Sequence, residues 1–265
     1  MPTTYTHYRF GSDVFRQLPA ALKEQIAPFR EFYDLGLHGP DLLFYYKALQ
    51  KNPVNQLGYV MHSKPAREFF RAAKLAMDQL SEPGSSLAYL YGFICHFALD
   101  CTCHPYIGER VRFTGITHSE IEAELDRAFM VMDGLNPITY HPAMHINASE
   151  SAARTIAHFF PPVKERQIFR AIRSMRWYCD MLVAPQPWKR KLIFRLLKLG
   201  GCYDNIHGMV INYKPNPSCA VMCTTLENLY LQAVPAAVEL ISNYQAYLLG
   251  DQKLDARFNH TFGET

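Results

Sequence analysis

Apolar residues recur at three- and four-residue intervals along most of this chain, and the apolar/polar alternation of a half-buried strand is almost absent. The spacing predicts about eight helices: Leu18–Tyr33, Ala66–Leu80, Ser86–Cys103, Ser119–Met132, Ala148–Phe159, Val163–Leu182, Trp188–Leu199 and Thr224–Leu249. Turn chemistry falls between them at Gly36–Asp41, Pro53–Asn55, Glu82–Ser85, Asn136–Pro142, Pro161–Pro162 and Lys214–Ser218. The expected fold class is all-α. No fixed-period repeat and no Gly/Ser-rich linker divides the sequence, so residues 1–265 are read as a single multi-helix domain.

Composition narrows the setting. An apolar content of 49% can fill a substantial core, and no run of about eighteen uninterrupted apolar residues points to a membrane-spanning helix. The start, MPTTYTHYRFG, has neither a basic leader nor an apolar stretch, and the seven cysteines form no regular framework. These features predict reduced thiols and a cytoplasmic address. A net charge of +3 is too small to mark a nucleic-acid binder, and nucleic acid is not expected as the main partner.

The candidate chemistry lies in the middle of the chain. His96 and Asp100 stand four residues apart in YLYGFICHFALDCTCHPY, His118 and Glu122 repeat that spacing in ITHSEIEAELD, and His104 stands between the pairs. Residues i and i+4 share one face of a helix, so each pair can hold a cation between an imidazole and a carboxylate. Asp100 is placed to bridge two ions, and His104, beside a Pro105 expected to end the helix, could turn toward His118 and Glu122. Nitrogen and oxygen donors without an obligatory thiolate suit zinc in an open site and could also accept manganese or iron. The two ligand-bearing helices should be joined at Thr114–Thr117.

This ordered series, HFALDCTCHPY followed by THSEIEAE, resembles the zinc-dependent phospholipase C family, whose all-helical fold is shared with the S1/P1 nucleases. The match extends upstream through YVMHSKP with His62, GLHGPDLLFYY with Asp41 and THYRFG with His7, and covers roughly residues 7 to 122. The resemblance implies that one metal takes Asp41, His62, His96 and Asp100, and a second takes His104, His118 and Glu122. A third would join Asp100 and His7 to the chain's amino terminus, which is a processed tryptophan in the secreted enzymes and would be Met1 or Pro2 here. His104 follows Asp100 by a shorter interval than in the best-known secreted members, so metal spacing is expected to differ.

The implied activity is metal-assisted hydrolysis of a phospholipid or small phosphodiester by two or three zinc ions, with Asp41 as the carboxylate that orients water or acts as general base. The alternatives are a single-strand nuclease using the same metals and a helical scaffold that retains metal without catalysis. Other histidines and the cysteines read as structural. Pro142 disfavours a helical conformation for His141, so the pair His141 and His145 is not expected to ligate. His38 reads as a solvated loop residue, and Cys101 and Cys103 as packing residues. In PWKRKLIFRLLKLGG, Lys189, Lys191, Arg195 and Lys198 share a polar arc with Arg190 at its edge, opposite Ile193, Leu196, Leu197 and Leu199. The plainer reading is a core-facing helix with a solvated basic face; the same pattern fits peripheral contact of Trp188–Leu199 with an anionic membrane, with Trp188 and Phe194 at the interface.

Overall fold

The computed structural model describes residues 4–80 and 83–263, and among them there are helices and turns but no strand. Of the predicted turns, Glu82–Ser85 lies partly outside the described residues, as do Met1 and Pro2. The helices are α1 (Thr4–Gln17), α2 (Ala20–Ile26), α3 (Arg30–Gly36), α4 (Pro53–His62), α5 (Ala66–Met77), α6 (Gly84–Thr114), α7 (His118–Met132), α8 (Glu150–Ala157), α9 (Glu165–Leu182), α10 (Pro187–Leu199), α11 (Tyr203–Ile206) and α12 (Ala220–Leu249). None is long and apolar enough to cross a membrane.

The axis of the fold is α6. Residues 88 to 100 are buried without exception, so this helix is apolar on every side and needs neighbours all round. It receives them from α1, α2, α3, α8 and α12. The closest crossing is with α3, where Gly36 and Gly92 face each other. A Cβ on Gly36 would sit 2.1 Å from the Tyr89 carbonyl oxygen, and one on Gly92 would sit 2.1 Å from that of Tyr33. Only glycine permits this approach, and it brings the Leu37 carbonyl against the His96 ring.

Three differences from the sequence expectation have physical causes. Pro105 does not end α6, which runs on to Thr114: the proline is exposed, so the Cys101 carbonyl that loses its partner lies near solvent rather than in the core. The expected helix Leu18–Tyr33 is divided, because Pro19 precedes α2 and Pro28 sits in a short 3-10 turn before α3. Pro53–Asn55 is a helix start instead of a turn. The Asn52 side chain accepts from the Val54 and Asn55 amides at 3.0 and 3.1 Å, while Asn55 accepts from the Asn52 amide at 3.0 Å, and Pro53 takes the first helical position.

Helix α1 lacks a strong local signal because it holds Gly11 and several aromatic and β-branched residues. Its order comes from tertiary contacts. Asp126 on α7 accepts from the Thr6 amide at 2.8 Å, the Thr6 hydroxyl at 2.6 Å and the Tyr5 amide at 3.3 Å, so a distant carboxylate caps the first turn. Burial pushes this carboxyl up to about 7 against those three hydrogen bonds. Replacing Asp126 with alanine should lower the unfolding free energy by about 1–3 kcal/mol in urea titration, with faster exchange of the Tyr5 and Thr6 amide protons. An unchanged midpoint would remove the capping role.

Candidate metal centre

Five segments deliver the eight metal-type side chains to one place. His7 comes from α1, Asp41 from a 3-10 turn at Gly39–Tyr45, and His62 from the last position of α4; α6 supplies His96, Asp100 and His104, and α7 supplies His118 and Glu122. Asp41 does not cap its own turn, but points its carboxylate at imidazoles. Gly39 makes that geometry accessible: its φ is +45°, and a Cβ there would lie 2.4 Å from the His96 ring.

Asp100 is the hub. Its Oδ1 lies 3.2 Å from His7 Nε2 and 3.5 Å from His104 Nε2, and its Oδ2 lies 3.0 Å from His96 Nε2 and 4.0 Å from His62 Nε2. Asp41 joins the same group, 3.0 Å from His62 Nε2 and 3.7 Å from His96 Nε2. Glu122 Oε1 lies 3.0 Å from His118 Nε2 and 3.4 Å from His104 Nε2. Two compact sets result: one donor atom from each of His7, Asp41, His96 and Asp100 lies within 4.8 Å of the others, and the same holds for His104, His118 and Glu122. His62 stands beside the first set through its contact with Asp41. The first set is buried, whereas His118 is 40% exposed and opens the second to solvent.

The tautomers indicate what belongs between these groups. The Nδ1 atoms of His62, His96 and His104 face the carbonyls of Gly58, Leu37 and Phe262 at 2.7, 3.2 and 3.0 Å. A carbonyl can only accept, so each Nδ1 carries a proton, and in the neutral ring Nε2 presents a lone pair. That lone pair meets a carboxylate oxygen. Two acceptors this close repel unless a cation lies between them, and carbonyl-oriented imidazoles with opposing carboxylates form a usual metal-ligand arrangement. His96 Nε2 and Asp100 Oδ2 are buried and 3.0 Å apart, yet neither has a hydrogen bond of acceptable geometry, as expected of atoms arranged around an ion rather than a proton. The donor set fits zinc.

Protons supply the missing positive charge when no metal does. Burial alone would lower the His104 pKa, but Asp100 and Glu122 outweigh it and raise it to about 9. Burial would raise the carboxyls, but His104 and His96 hold Asp100 well below its usual range, His118 and His104 hold Glu122 down, and His96 and His62 hold Asp41 down.

A second histidine pair borders the centre. His38 is fully buried instead of solvated, and its Nε2 lies 2.8 Å from His145 Nε2, with the Tyr8 ring stacked on His145 at 4.1 Å. Burial lowers both pKa values, that of His145 to about 3, so the pair shares one neutral N–H···N bond. His141 instead meets Asp180 at the surface, at 2.7 Å. All seven cysteines are free; Cys103 is buried, Cys101 is half-buried, and burial pushes both thiols up.

A narrow cleft of about 60 Å³, lined by Ser119, Glu122, Asp126, Met209 and Ile211 among others, reaches the second set. A cavity of about 720 Å³ between α8 and α9 is lined by Arg154, Arg166, Arg170 and Arg173 and includes none of the eight residues. Of the two, only the narrow cleft touches a residue of the centre, Glu122.

In comparison with known proteins, a family model described as zinc dependent phospholipase C aligns with residues 6–175. No curated protein and no solved structure matches the chain.

Proposed function

The chain belongs to the zinc-dependent phospholipase C family, and from that membership we propose that it is a hydrolase of phosphodiesters, with a phospholipid or related small phosphodiester as substrate. The observation that carries this reading is the His104–His118–Glu122 set: three protein donors at a solvent edge leave room for an exchangeable water, whereas a purely structural zinc is closed by four. Among the described residues these three donors do not close a tetrahedral sphere, which supports a hydrolase over the scaffold alternative.

Zinc held by the two sets would supply Lewis acidity toward a phosphoryl oxygen and a lowered pKa for water. The chain's own residues do the rest. Asp100, between both sets, ties their positions together through contacts with His7, His96 and His104. Asp41, kept ionised by His96 and His62, is the carboxylate assigned to orient the attacking water and take its proton. The carbonyls of Gly58, Leu37 and Phe262 hold three imidazoles in the ligating tautomer before substrate arrives.

The test is a metal-replete hydrolysis screen over phosphatidylcholine-type lipids, chromogenic phosphodiesters and single-stranded oligonucleotides, with a chelated control. We expect chelator-sensitive hydrolysis of the lipid or the small diester. His118→Ala should remove about one metal equivalent and lower the rate about 100-fold or more. Cleavage of oligonucleotides alone would transfer the reading to a nuclease, and full metal and activity in His118→Ala would remove the site assignment.

A further inference from the structure

Helix α10 is not packed as its basic arc suggests. Ile193 is buried and Leu197 and Phe194 are half-buried, and together with Leu182, Ala184, Val210 and Met209 they form a small cluster apart from the main core. Leu196 and Leu199, expected on that inner side, face outward with Trp188 and Leu192, at 57%, 76%, 67% and 48% exposure. On a helical wheel these four fall within one arc of about 80°. The cations divide likewise. Lys189 donates to the Val183 carbonyl at 2.5 Å, and Arg190 donates to the Ile211 carbonyl and lies 4.2 Å over the Tyr213 ring, so both fasten the helix inward. Lys191, Arg195 and Lys198 instead line the outer stripe, with no acidic partner within salt-bridge distance among the described residues, although Lys198 also lies 4.8 Å over the Tyr203 ring.

We propose that this face is the docking surface for an anionic phospholipid bilayer, with the Trp188–Leu192–Leu196–Leu199 stripe in the interfacial layer and Lys191, Arg195 and Lys198 at the level of the phosphates. An apolar helix face bordered by cations that no carboxylate neutralises among the described residues matches the two layers of such a surface. Charge decides against a second copy: α10 contains no acidic residue, so isologous pairing through this face would bring like charges together. A nucleic acid would leave the four apolar side chains in water. The location suits a lipid enzyme, because the turn after α11 presses on the start of α7, which carries His118. A Cβ on Gly208 would lie 2.7 Å from Ser119 Oγ and 2.8 Å from the Glu120 nitrogen. Through α11 and this turn, α10 is joined to the helix that carries His118. In naming the substrate's source the inference rests on the phosphodiester reading, but the docking itself does not.

The test is flotation of the full chain with vesicles of pure phosphatidylcholine and of phosphatidylcholine containing about 30% phosphatidylglycerol. The wild type should partition onto the anionic vesicles and lose binding as salt rises. Leu192→Glu with Leu196→Glu should weaken partitioning at least about 100-fold on both compositions. Lys191→Gln, Arg195→Gln and Lys198→Gln together should weaken it about 100-fold on anionic vesicles only, at about 5-fold per cation. Hydrolysis of a water-soluble diester should be unchanged in both variants. Equal partitioning of wild type and variants would overturn the proposal, as would concentration-dependent self-association that the leucine variant abolishes without any vesicle binding. Vesicle binding with the stated variant losses but no hydrolysis of any diester supports the docking surface and removes only the catalytic reading.

Discussion

Asp100→Ala is expected to strip the protein of bound metal and to lower diester hydrolysis by on the order of 1,000-fold or more. No other side chain in the centre is approached by so many imidazoles: His7, His96 and His104 lie within 3.5 Å of it and His62 at 4.0 Å. Its removal leaves four buried or half-buried rings facing one another without the negative charge that draws a cation between them. Breaking a buried ionic cluster by deleting one member costs about 3–5 kcal/mol, so stability should fall as well. Asp100→Asn separates the two effects. The amide keeps the volume and one acceptor oxygen but not the charge, and should therefore restore much of the stability without restoring the metal. Metal analysis of the two variants beside urea titration reads this directly, and full occupancy in Asp100→Asn would refute the hub role.

The second large effect is removal of the metal itself. Ions at about 1,000 times their dissociation constants stabilise a fold by about 4 kcal/mol per site, which for a chain of this size corresponds to a melting temperature lowered by about 10 °C or more on chelation. The loss should depend on pH in a defined sense. In the metal-free protein the His104 pKa is raised from 6.5 to about 9, so its contribution is complete below 6.5 and disappears as pH rises through 9. Asp41, Asp100 and Glu122 are depressed, so theirs is present above their usual values of 3.8 and 4.5 and disappears in acid. Chelated protein should be most stable between roughly pH 4.5 and 6.5, whereas metal-replete protein should hold its stability to higher pH, because ions replace the protons. The difference in melting temperature should widen from pH 6 to pH 9. A gap that narrowed over that range would contradict protons and metal competing for the same atoms.

The parts of the centre that were legible in the sequence are local. His96, Asp100 and His104 on one helix, and His118 and Glu122 on the next, announce themselves because a four-residue step is one turn. His7, Asp41 and His62 have no such periodicity and came only from the family resemblance. Nothing local marks the Phe262 carbonyl that orients His104, the His145 ring that meets His38, or the Asp126 carboxylate that caps α1. Their partners lie 158, 107 and 120 residues away. The fold divides in the same way. Helices with a steady apolar face were readable, but α1 is held by a remote carboxylate and by burial, and α4 begins at an Asn-Pro pair that also reads as a turn. Helix α10 shows the opposite limit: its sequence gives the amphipathic pattern, but only packing tells which leucines reach the core.

The meeting of α4 and α6 with the Phe262 segment also sets a timetable. A ribosome releases His7, Asp41, His62, His96, Asp100, His104, His118 and Glu122 long before Phe262, whose ring packs against His62 and His96 and whose carbonyl holds His104. The nascent chain would therefore display a full complement of metal-seeking side chains with their orientation unfinished. Vectorial synthesis makes the arrival of that last segment the event that completes the centre. Selective metallation becomes a late checkpoint in the making of this protein, and damage near residue 262 would be felt in the imidazoles rather than only in the helices around them.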